Sequence, residues 1–271
     1  MLTLASTREE IPSAAVIPLG DENPTRRRAW VTIILILVNV GVYFLVQPGS
    51  AEVDATAEFH YRNAAIPCEL RTREPLSEDE IRGALLGQEL CEEDDTSAEV
   101  FPGKRVLLAA LVSMFLHGSI LHLAGNMLFL WIFGNNIEDR LGPLLYIAFY
   151  VASGVVATIA HVAVQPDSTI PVVGASGAIA GVMGAYLVWF PNAPVRTVLL
   201  LGFFVLFPQI RAKWLLGFWF VSQFFVNPNE GVAWAAHVGG FVFGVVVALV
   251  VKAARPARRV AVRGAYVDDW R

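Results

Sequence analysis

Six blocks of apolar residues, separated by polar or charged joints, leave this chain few ways to fold. A hydrocarbon core takes about 20 helical residues to cross, with a range of roughly 17 to 25. The blocks are of that order: Trp30 to Val46, about Val106 to Phe133, about Leu144 to Val164, about Ser176 to Phe190, about Trp214 to Val226, and Trp234 to Val251. Only 16% of the 271 residues are charged, against about a quarter in soluble domains, and the mean hydropathy is +0.55. The expected fold class is an all-α integral membrane protein with six transmembrane helices. Between Val195 and Phe207 the chain is apolar as well, but Pro208, Arg211 and Lys213 follow at once. A charge at the bilayer centre costs at least about 2.5 kcal/mol, so this piece reads as an interfacial or partly embedded segment.

Orientation follows from the basic residues, which short cytoplasmic joints retain. Arg26 to Arg28, Arg140, Arg196, Arg211, Lys213, Lys252, Arg255, Arg258 and Arg259 fall on one side if six spans alternate. Both termini are then cytoplasmic, in a multi-pass protein of a cell (plasma or inner) membrane. Residues 1–29 form a cytoplasmic N-terminal segment, 30–252 the six-helix domain and 253–271 a basic cytoplasmic tail. The outer loop 47–104 is acidic (SEDE, CEEDD), so the net charge of −4 averages an acidic outside with a basic inside. No nucleic-acid partner is implied. The first block resembles a signal peptide in its positive flank, but no convincing A-x-A site follows at once, which favours a retained anchor. In the outer loop Ser77 and Glu80 have the spacing of a helix capping box. Cys68 and Cys91 both lie there too, where an oxidising compartment allows a disulfide; the alternative is two unpaired thiols. No CxxC or Cys/His metal spacing is present, and neither a metal nor an organic cofactor is expected.

Polar side chains inside apolar spans carry most of the functional information, because in hydrocarbon each needs a partner or a cavity. In HGSILHLAGNMLFLWIFG, residues 117 to 134, His122 and Asn126 share one helical face within about 40°, and His117 is displaced from His122 by about 140°. The pair suits a polar clamp between helices or an active-site role. A metal site lacks an Asp, Glu or Cys at the same depth.

In VVGASGAIAGVMGAYL, residues 172 to 187, Ser176, Ala180 and Gly184 recur every four residues, with Gly177 and Gly181 as a second small row. Such rows let helices approach closely in lipid. AHVGGFVFG repeats the pattern with Ala236, Gly240 and Gly244, and His237 lies on the edge of that row. Serine in such a helix is by itself a packing residue. Set at the depth of His237 it is also a candidate nucleophile, since a neutral imidazole within about 2.6 to 3.2 Å can take its proton. No acidic residue lies in either span to orient the histidine, which leaves close packing to do so. His122, Asn126 and the Ser176 backbone N–H are the candidate oxyanion donors.

GASG with Ser176, the segment from His117 through His122 to Asn126, AHVGG with His237, and EDRLG at 138 to 142 together resemble the rhomboid intramembrane serine proteases. The resemblance implies a six-helix core with a membrane-embedded, outward-opening active site that cleaves transmembrane proteins in or near their spans within the lipid bilayer. By motif, Ser176 is the nucleophile, His237 the general base, His122 and Asn126 the oxyanion donors, Gly174 the tight bend before the helix, and His117 a supporting residue. Some members carry an aromatic residue four positions after the serine, against which the base stacks. Here that position is Ala180, so the imidazole needs another wall, for which Phe241 and Trp234 are candidates. Two other readings are open to the same residues. One is a catalytically inactive relative that binds transmembrane clients, which loss of Ser176 or His237 would mark. The other is a proton-path channel, which the lack of intramembrane Asp or Glu disfavours.

Overall fold

Helices form where the apolar blocks lie, and the protein is mostly helical. A computed structural model describes residues 15–49, 53–88, 91, 97–201, 204–226, 232–254, 258–262 and 265–269. Acidic residues 92–95 and tail residues 255–257 lie outside this set. The helices are α1 (Trp30–Leu45), α2 (Val53–Asn63), α3 (Pro67–Thr72), α4 (Glu78–Leu85), α5 (Val106–Val112), α6 (Ile120–Leu141), α7 (Pro143–Val164), α8 (Ser176–Trp189), α9 (Ala212–Ser222) and α10 (Trp234–Ala254). Among the described residues α6, α7 and α10 are long and apolar enough to cross a membrane, and α1, α8 and α5 with its following 3-10 turn are shorter apolar helices. This is a multi-pass membrane protein.

The second apolar block is two elements rather than one helix. After the turn Ser113–Phe115 the chain becomes extended at Leu116, and α6 starts afresh because the Ser119 hydroxyl accepts the His122 N–H at 3.1 Å. His117 therefore precedes α6, and the helical phase assigned to it from His122 does not apply. The apolar piece after α8 forms strands. β2 (Pro194–Leu201) pairs antiparallel with β1 (Ala15–Asp21) on one side, and with β3 (Phe204–Leu206) and β4 (Gln209–Arg211) on the other. Part of the N-terminal segment thus belongs to a sheet. The tail carries a second antiparallel hairpin, β5 (Arg258–Val262) and β6 (Ala265–Asp269).

EDRLG ties the helix ends together on the side of that first sheet. The Glu138 carboxylate accepts from the Val31 and Thr32 N–H groups at 2.9 and 2.8 Å, where the start of α1 is electropositive. Asp139 accepts from the Arg26 and Arg27 N–H groups. The Arg140 guanidinium lies 4.6 Å from the Trp189 ring centroid. Gly142, at φ +79°, ends α6 and Pro143 opens α7, using the freedom of glycine past a helix end and the tolerance for proline at its start.

Helix α8 is central: every residue from Gly177 to Tyr186 is buried. Lipid tails are as apolar as these side chains, so the helix gains nothing from hydrophobic exclusion and is held by van der Waals contact and hydrogen bonds. Close contact is what its small residues allow. A Cβ on Gly240 would strike the Gly177 carbonyl, one on Gly244 the Gly181 carbonyl, and one on Gly184 the Phe241 carbonyl. The contact with α10 therefore draws on both rows, Gly177 and Gly181 from the second and Gly184 from the row led by Ser176. Helix α7 closes the group with Ala157 against Gly177, Ser153 against Gly181 and Ala160 against Gly239.

Candidate active site

Ser176 is the first residue of α8 and His237 lies in the first turn of α10, so the α8–α10 seam delivers both to the same end of the bundle. The His237 Nε2 is 2.8 Å from the Ser176 Oγ, within the reach that proton transfer needs. The first N–H groups of α8 have no acceptor within their own helix, and they flank the serine. Gly174 precedes it at φ +127°, a backbone region that side chains rarely occupy. A Cβ there would lie 2.8 Å from the His122 ring and 3.4 Å from the Ser176 Oγ, so the missing side chain is the space into which both groups face.

His122 and Asn126, one turn apart on α6, line the same cavity of about 680 Å³ as Ser176 and His237. The Asn126 side chain is buried, and among the described residues its Nδ2 has no hydrogen-bond partner. Orphaned buried donors are uncommon because each forfeits the cost of its desolvation. This one lines the cavity of the serine. His117 does not line the cavity: it is 1% exposed and packs edge-on against His122, with ring centroids 5.2 Å apart. Its backbone is clamped by Gln47, just beyond α1, which accepts the His117 N–H and donates to the His117 carbonyl, both at 2.9 Å.

The wall behind the base differs from both expected rings. Trp219 of α9 faces the His237 imidazole with centroids 5.8 Å apart, and Phe241 lies beyond Trp219 at 6.0 Å. Trp234 packs on Phe224 instead. The absence of an acidic partner also turns out not to leave His237 unsupported. Its Nδ1 is 2.7 Å from the Oε1 of Gln223, in the 3-10 turn Gln223–Phe225 that follows α9. His161, buried at the end of α7, lines the cavity as well. Sequence reasoning missed both residues, although each is a polar side chain inside an apolar block, the same signal that marked His122 and Asn126.

Cys68 and Cys91 are joined by a disulfide. With Glu80 they make the one His/Cys/carboxylate group among the described residues compact enough for a metal, but sulfurs bonded to each other supply no thiolates. Ser77 and Glu80 form the expected capping box at the start of α4. The chain around the bridge reaches the cavity wall: the Cys68 N–H donates to the Ser168 carbonyl at 3.0 Å, and the Val172 N–H to the Ala65 carbonyl at 2.8 Å. Ser168 and Val172 both line the cavity.

Ser176 and His237 both fall in the part of the chain that matches a known family. Residues 104–254, more than half of the chain, match the Rhomboid domain, and the chain belongs to the rhomboid family. It is similar to Presenilin-associated rhomboid-like protein, mitochondrial, of Bos taurus, with 31% identity over 155 residues, 53% of this chain and 38% of that protein. Rhomboid protein 1, mitochondrial, of Saccharomyces cerevisiae is 27% identical over 147 residues, 51% of this chain and 40% of that protein. Rhomboid protease GluP of Bacillus subtilis is 40% identical over 77 residues, 28% of this chain and 15% of that protein. The chain spans well under half the length of these relatives.

Proposed function

We propose that this chain is an intramembrane serine endopeptidase that hydrolyses peptide bonds in or near the transmembrane segments of other membrane proteins. The observation that carries the reading is the 2.8 Å contact between the Ser176 Oγ and the His237 Nε2. His237 takes the hydroxyl proton as Oγ bonds to the scissile carbonyl carbon, and the carbonyl oxygen becomes an oxyanion. Asn126, His122 and the Ser176 N–H stabilise that charge, and the orphaned Asn126 Nδ2 is the donor best explained by this role. His237 then protonates the leaving amine as the C–N bond breaks, and water releases the acyl group by the same steps in reverse. His117 acts behind His122 as support, and Gly174 keeps the approach to the serine open.

Six spans, α1, the broken pair α5 and α6, α7, α8, α9 and α10, carry both termini on the cytoplasmic side of a cell membrane. The grouping of Arg26, Arg27 and Arg140 at the end of the bundle away from Ser176 supports that orientation, and the cavity then opens outward. Three of the relatives' names place them as mitochondrial or as a bacterial protease, and fractionation of the host cell locates this chain. The disulfide belongs to the outer side.

The reading is tested with a purified, detergent-reconstituted chain and a transmembrane peptide substrate. Ser176→Ala is expected to abolish cleavage while the protein stays folded, and Asn126→Ala to keep detectable activity about 10²- to 10³-fold below wild type, as for loss of one oxyanion donor. Cleavage retained in Ser176→Ala overturns the mechanism. A wild type that binds clients without cutting them would establish the inactive relative instead.

A further inference from the structure

We infer that Gln223 is the third member of the site, a positioning residue that holds His237 in the one tautomer able to accept the serine proton. The inference rests on the protease reading for its purpose, and on geometry for its content. Gln223 is buried, at 6% exposure. Its Nε2 donates to the Trp219 carbonyl at 2.9 Å and lies 3.2 Å from the Ser222 Oγ. A main-chain carbonyl only accepts, so the amide nitrogen belongs at that end. The Ser222 hydroxyl spends its own proton on the same Trp219 carbonyl, at 2.7 Å, which leaves its oxygen to accept from Gln223. With the nitrogen so placed, the amide oxygen Oε1 is the atom turned to His237.

An amide oxygen carries no proton. Its 2.7 Å contact with Nδ1 is a hydrogen bond only if Nδ1 bears the hydrogen. A neutral imidazole has a single N–H, so Nε2 is then bare, and its lone pair meets the Ser176 hydroxyl at 2.8 Å. The other tautomer sets two acceptors against each other at Nδ1 and aims an N–H at the serine, where it would hold the hydroxyl without taking its proton. Close helix packing cannot make this choice, because glycine seams set distance and have no preference between ring nitrogens.

The same turn supplies the ring's second constraint. Trp219 and Gln223 are four residues apart and project from one face: the indole lies against the imidazole at a tilt of 40°, with centroids 5.8 Å apart, while the amide holds its edge. Gln223 does this without adding charge. A carboxylate at that position would stabilise the imidazolium and make the base stronger, at a heavy desolvation cost in this setting. The amide fixes direction and leaves the base neutral.

The experiment uses the full chain in detergent or liposomes. The ring is first read directly by nitrogen-15 NMR of histidine-labelled wild type, with His237 assigned by the signal lost in His237→Ala. The expected result is a proton on Nδ1; a ring protonated mainly on Nε2 overturns the inference. No substrate is involved, so an Nδ1-protonated ring in a chain that never cleaves would refute the protease reading and still support the positioning role. Kinetics then follow across pH. Gln223→Met, which keeps the volume, is expected to lower kcat about 10²-fold with KM little changed, at the low end of what a correctly poised base supplies. Gln223→Glu is expected to be more active than Gln223→Met and to move the acid limb of the kcat/KM profile up by about 1 to 3 pH units, as a carboxylate beside an imidazole does. A Gln223→Met enzyme with unchanged kcat, or a Gln223→Glu enzyme whose acid limb stays in place, overturns the role.

Discussion

The α8–α10 seam and the segment between α1 and α5 each hold a short stretch beside Ser176, and they use opposite chemistry. The seam is built from atoms that are missing: Gly177, Gly181 and Gly184 face Gly240, Gly244 and the Phe241 backbone at separations that a single Cβ would violate. The segment beyond α1 is built from strong local links. Cys68 and Cys91 are bonded. The Lys104 ammonium is buried against the Glu69 carboxylate, with side chains 1% and 2% exposed, and donates to the Tyr61 carbonyl at 2.7 Å. The difference follows from the medium. Between helices in lipid there is no hydrophobic force to draw surfaces together, so contact area at short range is what stabilises them. Among the described residues the smaller segment's core is Tyr61, Ile66, Cys68 and Leu76 with a few partly buried neighbours, and small cores require staples.

Gly244→Val separates the two most sharply. The added side chain meets the Gly181 backbone, which cannot give way, so loss of the native fold and of all Ser176 reactivity toward a fluorophosphonate probe is expected. Gly217→Ala, where no atom lies within 4 Å of the new Cβ, is the matched control and should label as wild type does. A labelled, monodisperse Gly244→Val protein would show that the seam does not set the Ser176–His237 distance.

Lys104→Met should cost about 3 to 5 kcal/mol in the α1–α5 segment, because it leaves a buried carboxylate unpaired, and hydrogen exchange across residues 60–76 measures it. The double variant Lys104→Met/Glu69→Leu should recover most of that loss. Burial already holds the Glu69 carboxyl above its usual range, and without Lys104 it goes higher. A raised carboxyl favours the folded state when protonated, so the single variant should be most stable below the ordinary glutamate range and lose stability as pH climbs through the raised value. A Lys104→Met effect that is flat with pH would mean the pair contributes by packing alone.

Cys68→Ser is expected to cost about 2 to 4 kcal/mol in the same segment, the usual effect of opening a bridge, here between residues 23 apart in sequence. Its consequence for cleavage should be modest, passing through the contacts of Cys68 and Ala65 with residues 168 and 172. Wild type should change mobility on reduction; thiols that label before reductant is added would show that the bridge does not form.

Much of the site was legible from residue type and spacing. His122 and Asn126, four apart in an apolar block, do lie together, and Ser176 and His237 stand at the helix starts that the small-residue rows bring into contact. The break before α6 was less legible, since HGS interrupts an apolar run without a proline or a charge, and only the Ser119 cap reveals a helix start. Strand β2 was hidden for another reason: its partner β1 lies in the N-terminal segment, more than 170 residues away in sequence, and pairing at that range leaves no local trace.

From the chain alone came the membrane environment, the family motifs and the identities of Ser176, His237, His122 and Asn126, because hydropathy, small-residue spacing and a polar atom in an apolar run are local properties. The orientation of those groups was decided by the tertiary structure. Which small residues of α8 face α10, which ring backs the base and which residue holds its Nδ1 depend on how α8 and α9 lie against α10. That is set by the rotation of packed helices about their axes, which a one-dimensional pattern constrains only to within a face.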